Sequence, residues 1–436
     1  MATAPSPTYR VASGASINAG RWPGGRFAGG IGMGDAALSG SIFGSAPPPT
    51  WVPTTAWQWT DIPGTIWSNY IKDDGTGIAP AVTAADPGPS RTYRATWDYS
   101  GPCYSPLNHE IYMFGGGHAA TTNNIVTRWN LGKNSPDISV VSAPTSEADR
   151  AARFASFSST ESDNRLAFAD GKPYSPHAYW NSCYSDAIDE YVVHGLGFMA
   201  SPGILNDGLG SGWYGSAVRG LQRNGTWRAD TYYESIPVGQ MSARATDSPK
   251  LLSADGLAIY YWVDNSSSVQ GLKKFNLSSK LHSSINSTGA LPTNVCCLNG
   301  DGTLAMFPGD SAGWTCQTIN LSTGARQSVT VSGYSIPGGL RCYGAVWVPS
   351  ISKYVMSWIT TAAFNGGSAD TTVSSIVLTS LEFTSVSTAT STQISMTGTA
   401  PTKCSSLRGM FYDPIYDCLL FVMSFSTPIK SIKVSN

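Results

Sequence analysis

Residues 103–117 read CYSPLNHEIYMFGGG, and residues 183–197 read CYSDAIDEYVVHGLG, so one phrase returns after 80 positions without a gap. Each copy holds two short runs of strand-forming residues around a polar turn, and each ends in glycines. This pattern predicts a β-hairpin followed by a loop whose backbone conformation glycine adopts at the lowest cost. The glycines to which we assign this role in shaping the blades are Gly115, Gly116, Gly117, Gly195 and Gly197.

Four weaker copies of the hairpin follow toward the C terminus. Their turns lie near residues 254, 300, 350 and 414, and each turn separates two runs of apolar residues. After several hairpins a third strand-like run ends in a similar phrase, as in residues 129–131 (WNL). Internal repetition of this kind is typical of sheets arranged around one axis. We predict an all-β fold, a six-bladed β-propeller, and leave a seventh blade open because residues 154–169 fit no repeat.

One stretch of the first copy resembles a known repeat. Residues 113–118 (MFGGGH), followed by 124–126 (NIV) and 129–131 (WNL), look like a kelch repeat of the galactose-oxidase-like type. The resemblance is good over residues 90–200 and degenerate toward the C terminus, where the double glycine is lost. It implies a kelch-like β-propeller with glycines after the second strand and an aromatic residue on the third. Such a fold hosts many activities, so the resemblance implies no particular one.

The N-terminal segment differs from the repeats. Residues 1–50 are rich in Gly, Ala, Ser and Pro and show no sustained period, so they cannot bury enough apolar surface to fold alone. Two interpretations are open: a disordered tail, or an extended docking arm that becomes ordered against a partner. We adopt the arm as the hypothesis, and its anchors would be Arg21, Trp22 and Phe43.

The rest of the chain, residues 51–436, forms the predicted propeller, and we expect an N-terminal strand to close it. The last blade contains only three strand-like runs, the third of them over residues 429–434. Residues 57–63 (WQWTDIP) resemble the Trp and Pro phrase that ends a kelch blade. Pairing of these two segments would remove two open sheet edges, which otherwise promote aggregation.

Charge and composition exclude several classes of function. Charged residues make up 13% of the chain, the formal net charge is −1 and the isoelectric point is near 6.5. Such a surface lacks the positive field that binds nucleic acid or anionic lipid, so we expect no specific nucleic-acid partner. No apolar run reaches the roughly 18 residues that a membrane helix needs, and residues 1–10 lack the apolar segment of a secretory signal. We therefore expect neither a membrane span nor a signal peptide.

The residue types that carry chemistry form no recognisable catalytic or metal-binding pattern. The eight cysteines show no metal-ligand spacing and are predicted to be buried thiols. His109 is expected to be exposed on a hairpin turn, and His282 to lie in a polar loop. Asp186, Asp189 and Glu190 cluster on another turn, where acids are ordinarily solvated. We predict no catalytic, metal-binding or cofactor-binding residue, and no cofactor.

Trp213 and Tyr214 are the candidates for surface recognition. They lie in a Gly-rich insertion over residues 201–220, which is longer than a blade turn needs. Long loops on a rigid scaffold often carry recognition, and exposed aromatic rings can stack on sugars. The alternative is an aromatic lid that packs on a neighbouring subunit or blade.

A charge-poor propeller with an arm and no export signal resembles the tail components of bacteriophages, including tail fibres and the nozzle of short-tailed phages. The resemblance implies a non-enzymatic structural or host-recognition protein of the virion tail, made in the host cytoplasm. Its partners would be other virion proteins, a host-surface glycan or a receptor, and we expect a homo-oligomer. Two alternatives stay open: a kelch-type carbohydrate-active enzyme or oxidase at the channel mouth, with galactose-oxidase-like or sialidase-like activity, and a kelch-type adaptor that binds another protein.

Overall fold

The computed structural model describes residues 8–10, 16–18, 48–83, 92–97, 100–114, 123–155, 168–173, 175, 182–194, 217–228, 232–233, 250–263, 271–286, 295–309, 316–360, 370–405 and 409–435. Within these ranges most regular structure is β-strand. A short N-terminal hairpin pairs β1 (Thr8–Arg10) with β2 (Ser16–Asn18). The next strand, β3 (Gln58–Asp61), belongs to the last of the sheets that follow.

Six antiparallel units of four strands account for most of the described residues. Sheet 1 comprises β4 (Cys103–Ser105), β5 (Glu110–Met113), β6 (Val126–Asn130) and β7 (Asp137–Ser142). Sheet 2 comprises β8 (Ser182–Ser185), β9 (Glu190–His194), β10 (Ala217–Gln222) and β11 (Tyr232–Tyr233). Sheet 3 comprises β12 (Leu251–Leu252), β13 (Ala258–Val263), β14 (Gly271–Asn276) and β15 (His282–Asn286).

The C-terminal half repeats the same four-strand unit. Sheet 4 comprises β16 (Cys297–Leu298), β17 (Leu304–Phe307), β18 (Cys316–Asn320) and β19 (Arg326–Gly333). Sheet 5 comprises β20 (Leu340–Val348), β21 (Lys353–Thr360), β23 (Ile376–Ser385) and β24 (Thr388–Ile394), and β22 (Thr371–Thr372) pairs instead with β26 (Lys403–Cys404). Sheet 6 comprises β27 (Gly409–Asp413), β28 (Cys418–Val422), β29 (Lys430–Lys433) and β3, with β25 (Thr397–Gly398) at its edge.

The first strands of the six sheets surround a common axis. Contacts join β4 to β8, β8 to β12, β16 to β20, β20 to β27, and β27 back to β4. Between sheets 3 and 4 the ring is completed by Leu251 of β12, which packs in one cluster with Cys296 and Leu298. This closed arrangement is an all-β propeller, so the predicted fold class is confirmed, and six blades lie within the described residues.

The outer strand of sheet 6 comes from the N-terminal side of the chain. Antiparallel β3 pairs with β29, with Asp61 opposite Lys430 and Thr60 opposite Ser431. The ammonium group of Lys430 lies 2.6 Å from Oδ1 of Asp61. This strand falls inside the segment 57–63, whose Trp and Pro phrase predicts a strand at the same place. The domain boundary at residue 50 stays a prediction.

A second connection joins sheets 4, 5 and 6 at their outer edges. The outer strand β24 of sheet 5 runs parallel to β19 of sheet 4, with Thr330 opposite Thr388. A few residues later, β25 runs parallel to β3, with Thr397 opposite Gln58. One continuous stretch, residues 388–398, therefore covers sheet edges that would otherwise present unpaired backbone groups.

Apolar side chains fill the spaces between neighbouring sheets. The cluster that joins sheets 6 and 1 contains three fully buried tryptophans, Trp67, Trp97 and Trp129. Trp97 meets the other two rings edge to face, with centroids 5.6 and 5.9 Å away, a geometry that the aromatic quadrupole favours. The Trp129 indole N–H donates to the Thr65 carbonyl at 3.0 Å. The segment that precedes sheet 1 is therefore firmly packed against it.

Among the described residues an α-helix, α1 (Glu147–Ala155), follows sheet 1, and it was not predicted. The sequence signal for its start is present nevertheless. The backbone N–H of Asp149 donates to Oγ of Ser146 at 3.1 Å, and Glu147 and Asp149 place acids in the first turn. Ser146 thus caps the helix, and its hydroxyl also donates to Oδ2 of Asp149 at 2.7 Å. The helix begins before the segment 154–169, which fits no repeat, and only its last two residues lie inside that segment.

The two ends of the ring differ in the length of their connections. Short turns over residues 106–109, 186–189, 253–257, 299–303, 349–352 and 414–417 join first to second strands, and we call this end the turn face. Because neighbouring strands are antiparallel, the connections from second to third strands emerge at the opposite end, the connector face. These connectors span residues 114–125, 195–216, 264–270, 308–315, 361–375 and 423–429.

Every turn of the turn face contains one residue in the left-handed backbone region. These residues are His109, Asp189, Gly256, Gly302, Ser352 and Asp417, with φ between 50° and 71°. Glycine adopts this conformation freely, whereas the other residue types incur strain of about 1 kcal/mol. The turns also contact their neighbours around the ring: Ser105 Oγ donates to Asp186, and Ser350 Oγ donates to Asp417, each at 2.6 Å. The turn face is therefore a continuous, interlocked surface.

Candidate functional site

The predicted docking and recognition residues lie outside the described residues. This applies to the arm anchors Arg21, Trp22 and Phe43, to Trp213 and Tyr214, and to the blade glycines Gly115, Gly116, Gly117, Gly195 and Gly197. All of these assignments stay predictions. By chain position, Trp213 and Tyr214 belong to the connector between β9 and β10, which is the longest of the six connectors at the connector face.

A charged groove lies between sheets 1 and 2 at the turn face, with a volume of about 810 Å³. It is lined by Glu110, Arg128, Asn130, Lys133, Asp137, Ser139, Ile188, Asp189, Glu190, Gln222, Arg223, Asn224 and Arg228. Four of these residues are acids and four are Arg or Lys. The groove is therefore rich in charge and close to neutral overall.

Glu110, at the start of β5, is the buried acid of the sheet 1 side. Arg223 of sheet 2 donates to both of its carboxylate oxygens, from Nη2 at 2.9 Å and from Nε at 3.1 Å. Arg128 approaches to 3.4 Å, and the Tyr112 hydroxyl donates at 2.8 Å. A two-pronged guanidinium–carboxylate pair of this kind is strong and directional. It fastens sheet 1 to sheet 2, and the Glu110 carboxylate raises the pKa of Arg223.

Glu190 occupies the matching position in sheet 2 and pairs with Arg228. The carboxylate is 3% exposed, whereas about a third of the Arg228 side chain is exposed. The Glu190 carboxylate fits only because residue 220 of the neighbouring strand is glycine, since a Cβ there would lie 2.6 Å from Glu190 Oε2. Tyr112 of sheet 1 and Val192 of sheet 2 are equivalent positions, 80 residues apart. The residue opposite Tyr112 is Arg128, and the residue opposite Val192 is Gly220. Each buried acid thus has its own cation.

The three acids of the sheet 2 turn have different surroundings, and two of them differ from the expectation. Glu190 is buried and ion-paired, as described above. Asp186 is half-buried, accepts the Ser105 hydroxyl at 2.6 Å, and burial raises its pKa to about 7. Asp189 is exposed as expected. The prediction of a solvated acid cluster was therefore wrong for Asp186, which bonds to Ser105 of sheet 1, and for Glu190, which pairs with Arg228 of its own sheet.

His109 is buried rather than exposed, which corrects the sequence-based expectation. Its side chain is 11% exposed, and Nδ1 lies 3.1 Å from Oδ2 of the fully buried Asp413 in sheet 6. The ring stacks on Tyr416 with centroids 4.6 Å apart, and the Tyr104 hydroxyl lies 3.2 Å from Nδ1. The turn carries His109 into the junction of sheets 6 and 1, where it joins the two sheets.

His282 also has a structural position and does not lie in a loop. It is the first residue of β15, packs on Phe275 with ring centroids 4.5 Å apart, and lies 2.5 Å from the Tyr261 hydroxyl through Nδ1. Burial, with a further contribution from Lys273, lowers the pKa of His282 to about 4. The imidazole is neutral at physiological pH.

The cysteines are buried thiols for the most part, as predicted. Seven of the eight are buried, and Cys296 is half-buried. Burial raises the pKa of Cys183 and of Cys316 to about 12. Thiols with such pKa values are protonated at neutral pH and are poor nucleophiles. Across the described ranges, no group of three or more His, Cys, Asp or Glu side chains is placed to hold a metal ion.

A smaller pocket of about 370 Å³ opens on the axis of the turn face. It is lined by residues from all six sheets, among them Tyr104, Tyr184, Leu252, Leu298, Trp347 and Tyr412. These six residues lie at or next to the end of each first strand. The pocket is mainly apolar, and Asp186 is at its rim. No described helix is long and apolar enough to cross a membrane.

Among known proteins, this chain is similar to solved structures in its fold alone. The sequence matches no family model and none of the curated proteins. A chain of the mitotic checkpoint complex is 12% identical over 90% of this chain and 95% of its own, with a TM-score of 0.39. Kuenenia stuttgartiensis hydrazine synthase is 10% identical over 74% of this chain and 73% of its own, with a TM-score of 0.40. The gluconolactonase XC5397 from Xanthomonas campestris is 9% identical over 77% of this chain and 85% of its own, with a TM-score of 0.41.

Sequence reasoning missed the charged groove. The signal was present, because Glu110 and Glu190 occupy the same place in the two copies of the repeat, 80 positions apart. Their arginine partners follow no such repeat, since Arg223 and Arg228 both lie beyond β10. Only the fold brings Arg223 across to sheet 1.

Proposed function

We propose that this protein is a non-catalytic structural and recognition subunit of a virus particle, of the bacteriophage tail fibre or nozzle type. Residues 1–50 would dock to the particle, and the connectors of a kelch-like propeller would contact a neighbouring protein or the host surface. Its partners are then other virion proteins and a host glycan or receptor, and it acts as a homo-oligomer in the virion tail.

The unequal length of the connections at the two faces carries this proposal. The turn face consists of short turns held to one another, whereas the connector from β9 to β10 spans residues 195–216. A rigid ring with long loops at one end is the usual arrangement of a recognition scaffold, because binding residues are concentrated on loops that a stable framework holds. Trp213 and Tyr214 belong to the longest of these loops.

The pairing of the buried acids with basic side chains supports a structural role. Glu110, Glu190 and Asp413 are each engaged with Arg223, Arg228 and His109, respectively. A general acid or base must exchange its proton with a substrate, and a carboxylate held by a guanidinium is poorly suited to this. These pairs join or brace the sheets instead.

One observation favours a second candidate, a carbohydrate-active enzyme of the axial pocket. Asp186 is half-buried beside aromatic side chains, and its pKa of about 7 is suitable for a general acid. Turnover of glycosides and sugar lactones by the wild-type protein, abolished in Asp186→Asn, would replace the proposed function by this one. We expect no turnover in either protein.

The arm hypothesis is tested by native mass spectrometry on the full chain. The variant Arg21→Ala/Trp22→Ala/Phe43→Ala should lose the defined oligomer that the wild-type protein forms, with an unchanged melting temperature. The matched control, Ser39→Ala/Ser41→Ala/Ser45→Ala, alters the same segment without removing an anchor and should retain the oligomer. A wild-type monomer, or an anchor variant that assembles normally, would contradict the proposal.

A further inference from the structure

The axial pocket is built from one equivalent position in each sheet. Four adjacent sheets contribute an aromatic ring there: Trp347 from sheet 5, Tyr412 from sheet 6, Tyr104 from sheet 1 and Tyr184 from sheet 2. Sheets 3 and 4 contribute leucines and cysteines instead. Trp347 and Tyr412 are half-buried, whereas Tyr104 and Tyr184 are buried. The aromatic surface open to the pocket therefore comes mainly from sheets 5 and 6.

Contacts at the turns hold these rings in place. The Tyr184 hydroxyl donates to Asp189 at 2.7 Å. The indole of Trp347 lies against Gly300 of the neighbouring sheet, and meets Tyr354 edge to face at 4.9 Å. Rings that are already ordered lose little conformational entropy when a ligand arrives.

Asp186 is the one charged side chain that lines this pocket within the described residues. Ser105 Oγ donates to its Oδ1, and the charged groups that act on it most are the acids Asp189 and Glu110. Glu110 and Glu190 each have a guanidinium partner, whereas no cation among the described residues pairs with Asp186. A half-buried carboxylate without a cation carries a desolvation cost that a cationic ligand would relieve.

We propose that the axial pocket binds an alkylammonium group, primary or quaternary, with the charge beside Asp186 and the alkyl part against the aromatic rings. Aromatic faces attract such cations, and a carboxylate strengthens this attraction. The volume of about 370 Å³ accommodates a small quaternary amine or the end of a lysine side chain. This site does not depend on the proposed function, because it lies at the opposite end of the ring from the connectors.

The test is an NMR or calorimetric titration of the full-length protein with choline and with Nα-acetyl-lysine methylamide. The uncharged probe 3,3-dimethylbutan-1-ol has nearly the shape of choline, and acetylation of Nε in Nα,Nε-diacetyl-lysine methylamide removes the charge of the lysine probe. We expect at least one cation to bind at least tenfold more tightly than its uncharged counterpart. The cation that binds better identifies the source of the ammonium group, a small quaternary amine or a lysine side chain.

Two variants locate the binding. Asp186→Asn retains the shape of the side chain and should weaken cation binding at least tenfold, whereas Asp301→Asn removes an exposed acid of the same face that does not line the pocket and should leave it unchanged. Trp347→Leu should weaken binding several-fold. Equal binding of charged and uncharged probes, full affinity in Asp186→Asn, no binding of either cation, or binding of glucose in preference to both would each overturn the proposal.

Discussion

Tyr412 donates a hydrogen bond of 2.8 Å from its hydroxyl to Oδ1 of Asp417, which adopts a φ of 52° at the end of the sheet 6 turn. Tyr184 and Asp189 repeat the arrangement in sheet 2, at 2.7 Å and a φ of 54°. In both turns a tyrosine at the axial pocket holds a left-handed residue five positions later. The backbone of the turn and the wall of the pocket are thus coupled.

The first prediction concerns the strain at Asp417. Alanine and glycine both remove the hydrogen bonds from Tyr412, Ser350 and Ser435, but only alanine keeps a Cβ in the left-handed region. We therefore expect Asp417→Ala to lower the free energy of unfolding by about 1 kcal/mol more than Asp417→Gly. Urea denaturation measures both variants, and equal losses would show that the turn is unstrained.

The second prediction concerns the space beside Glu190. Gly220→Ala places a methyl group against the carboxylate and should displace Glu190 from Arg228, lowering the free energy of unfolding by about 2–3 kcal/mol. Gly338→Ala is the control, because nothing lies within 4 Å of a Cβ at that position. In thermal and urea unfolding, Gly220→Ala should be clearly less stable than Gly338→Ala. A Gly220→Ala variant as stable as the control would contradict the close approach.

The third prediction is a dependence of stability on pH. Because the pKa of His282 is about 4 in the folded protein and 6.5 ordinarily, the unfolded chain binds an extra proton between these values. Stability from this group is complete above about pH 6.5 and is lost as the pH falls toward 4, on the order of 2 kcal/mol. Urea unfolding from pH 4 to 7 should show this slope, and His282→Gln should lack it. Ser283→Ala, which changes an exposed neighbour, should retain it.

The fourth prediction concerns the pH dependence of cation binding in the axial pocket. Cys103, Tyr104, Glu110 and Asp189 are the titratable groups around Asp186, and burial raises the pKa of Cys103 and Tyr104 well above the neutral range. With a pKa of about 7, Asp186 is mostly ionised at pH 8 and mostly protonated at pH 6. Choline affinity should therefore fall roughly tenfold from pH 8 to pH 6. A flat profile would show that Asp186 does not bind the cation.

The fold could be predicted from the sequence because the hairpin is a local unit whose signals repeat. The strand runs around each turn and the return of residues 57–63 to the last sheet were all visible as short patterns. Helix α1 was not predicted although Ser146 is a typical capping residue at its start, because a single helix leaves no trace in a repeating pattern of strands.

The burial of side chains at the turns and at the junctions of sheets could not be predicted in the same way. His109 lies on a turn and Glu190 directly follows one, and both positions look solvated in the sequence. Yet His109 is buried against Asp413 and Glu190 against Arg228, each far away along the chain. The partner of His109 is Asp413, which no local pattern connects to it. Burial of a turn depends on how sheets close into a ring, and a periodicity of strands carries no information about that.

The closure strand β3 has a mechanical consequence. Residues 48–57 lead into it, and Trp51 in this segment is buried against the end of sheet 1, where its indole N–H donates to the Leu131 carbonyl at 2.8 Å. A pull transmitted through the preceding chain would therefore act first on Trp51 and next on β3, before any other strand of the ring. Its resistance would come from the pairs of Asp61 and Thr60 with β29 and from the contact of Trp59 with Phe421, whose ring centroids are 5.0 Å apart. If the arm is a tether, the same strand that completes the propeller is the place where load would open it.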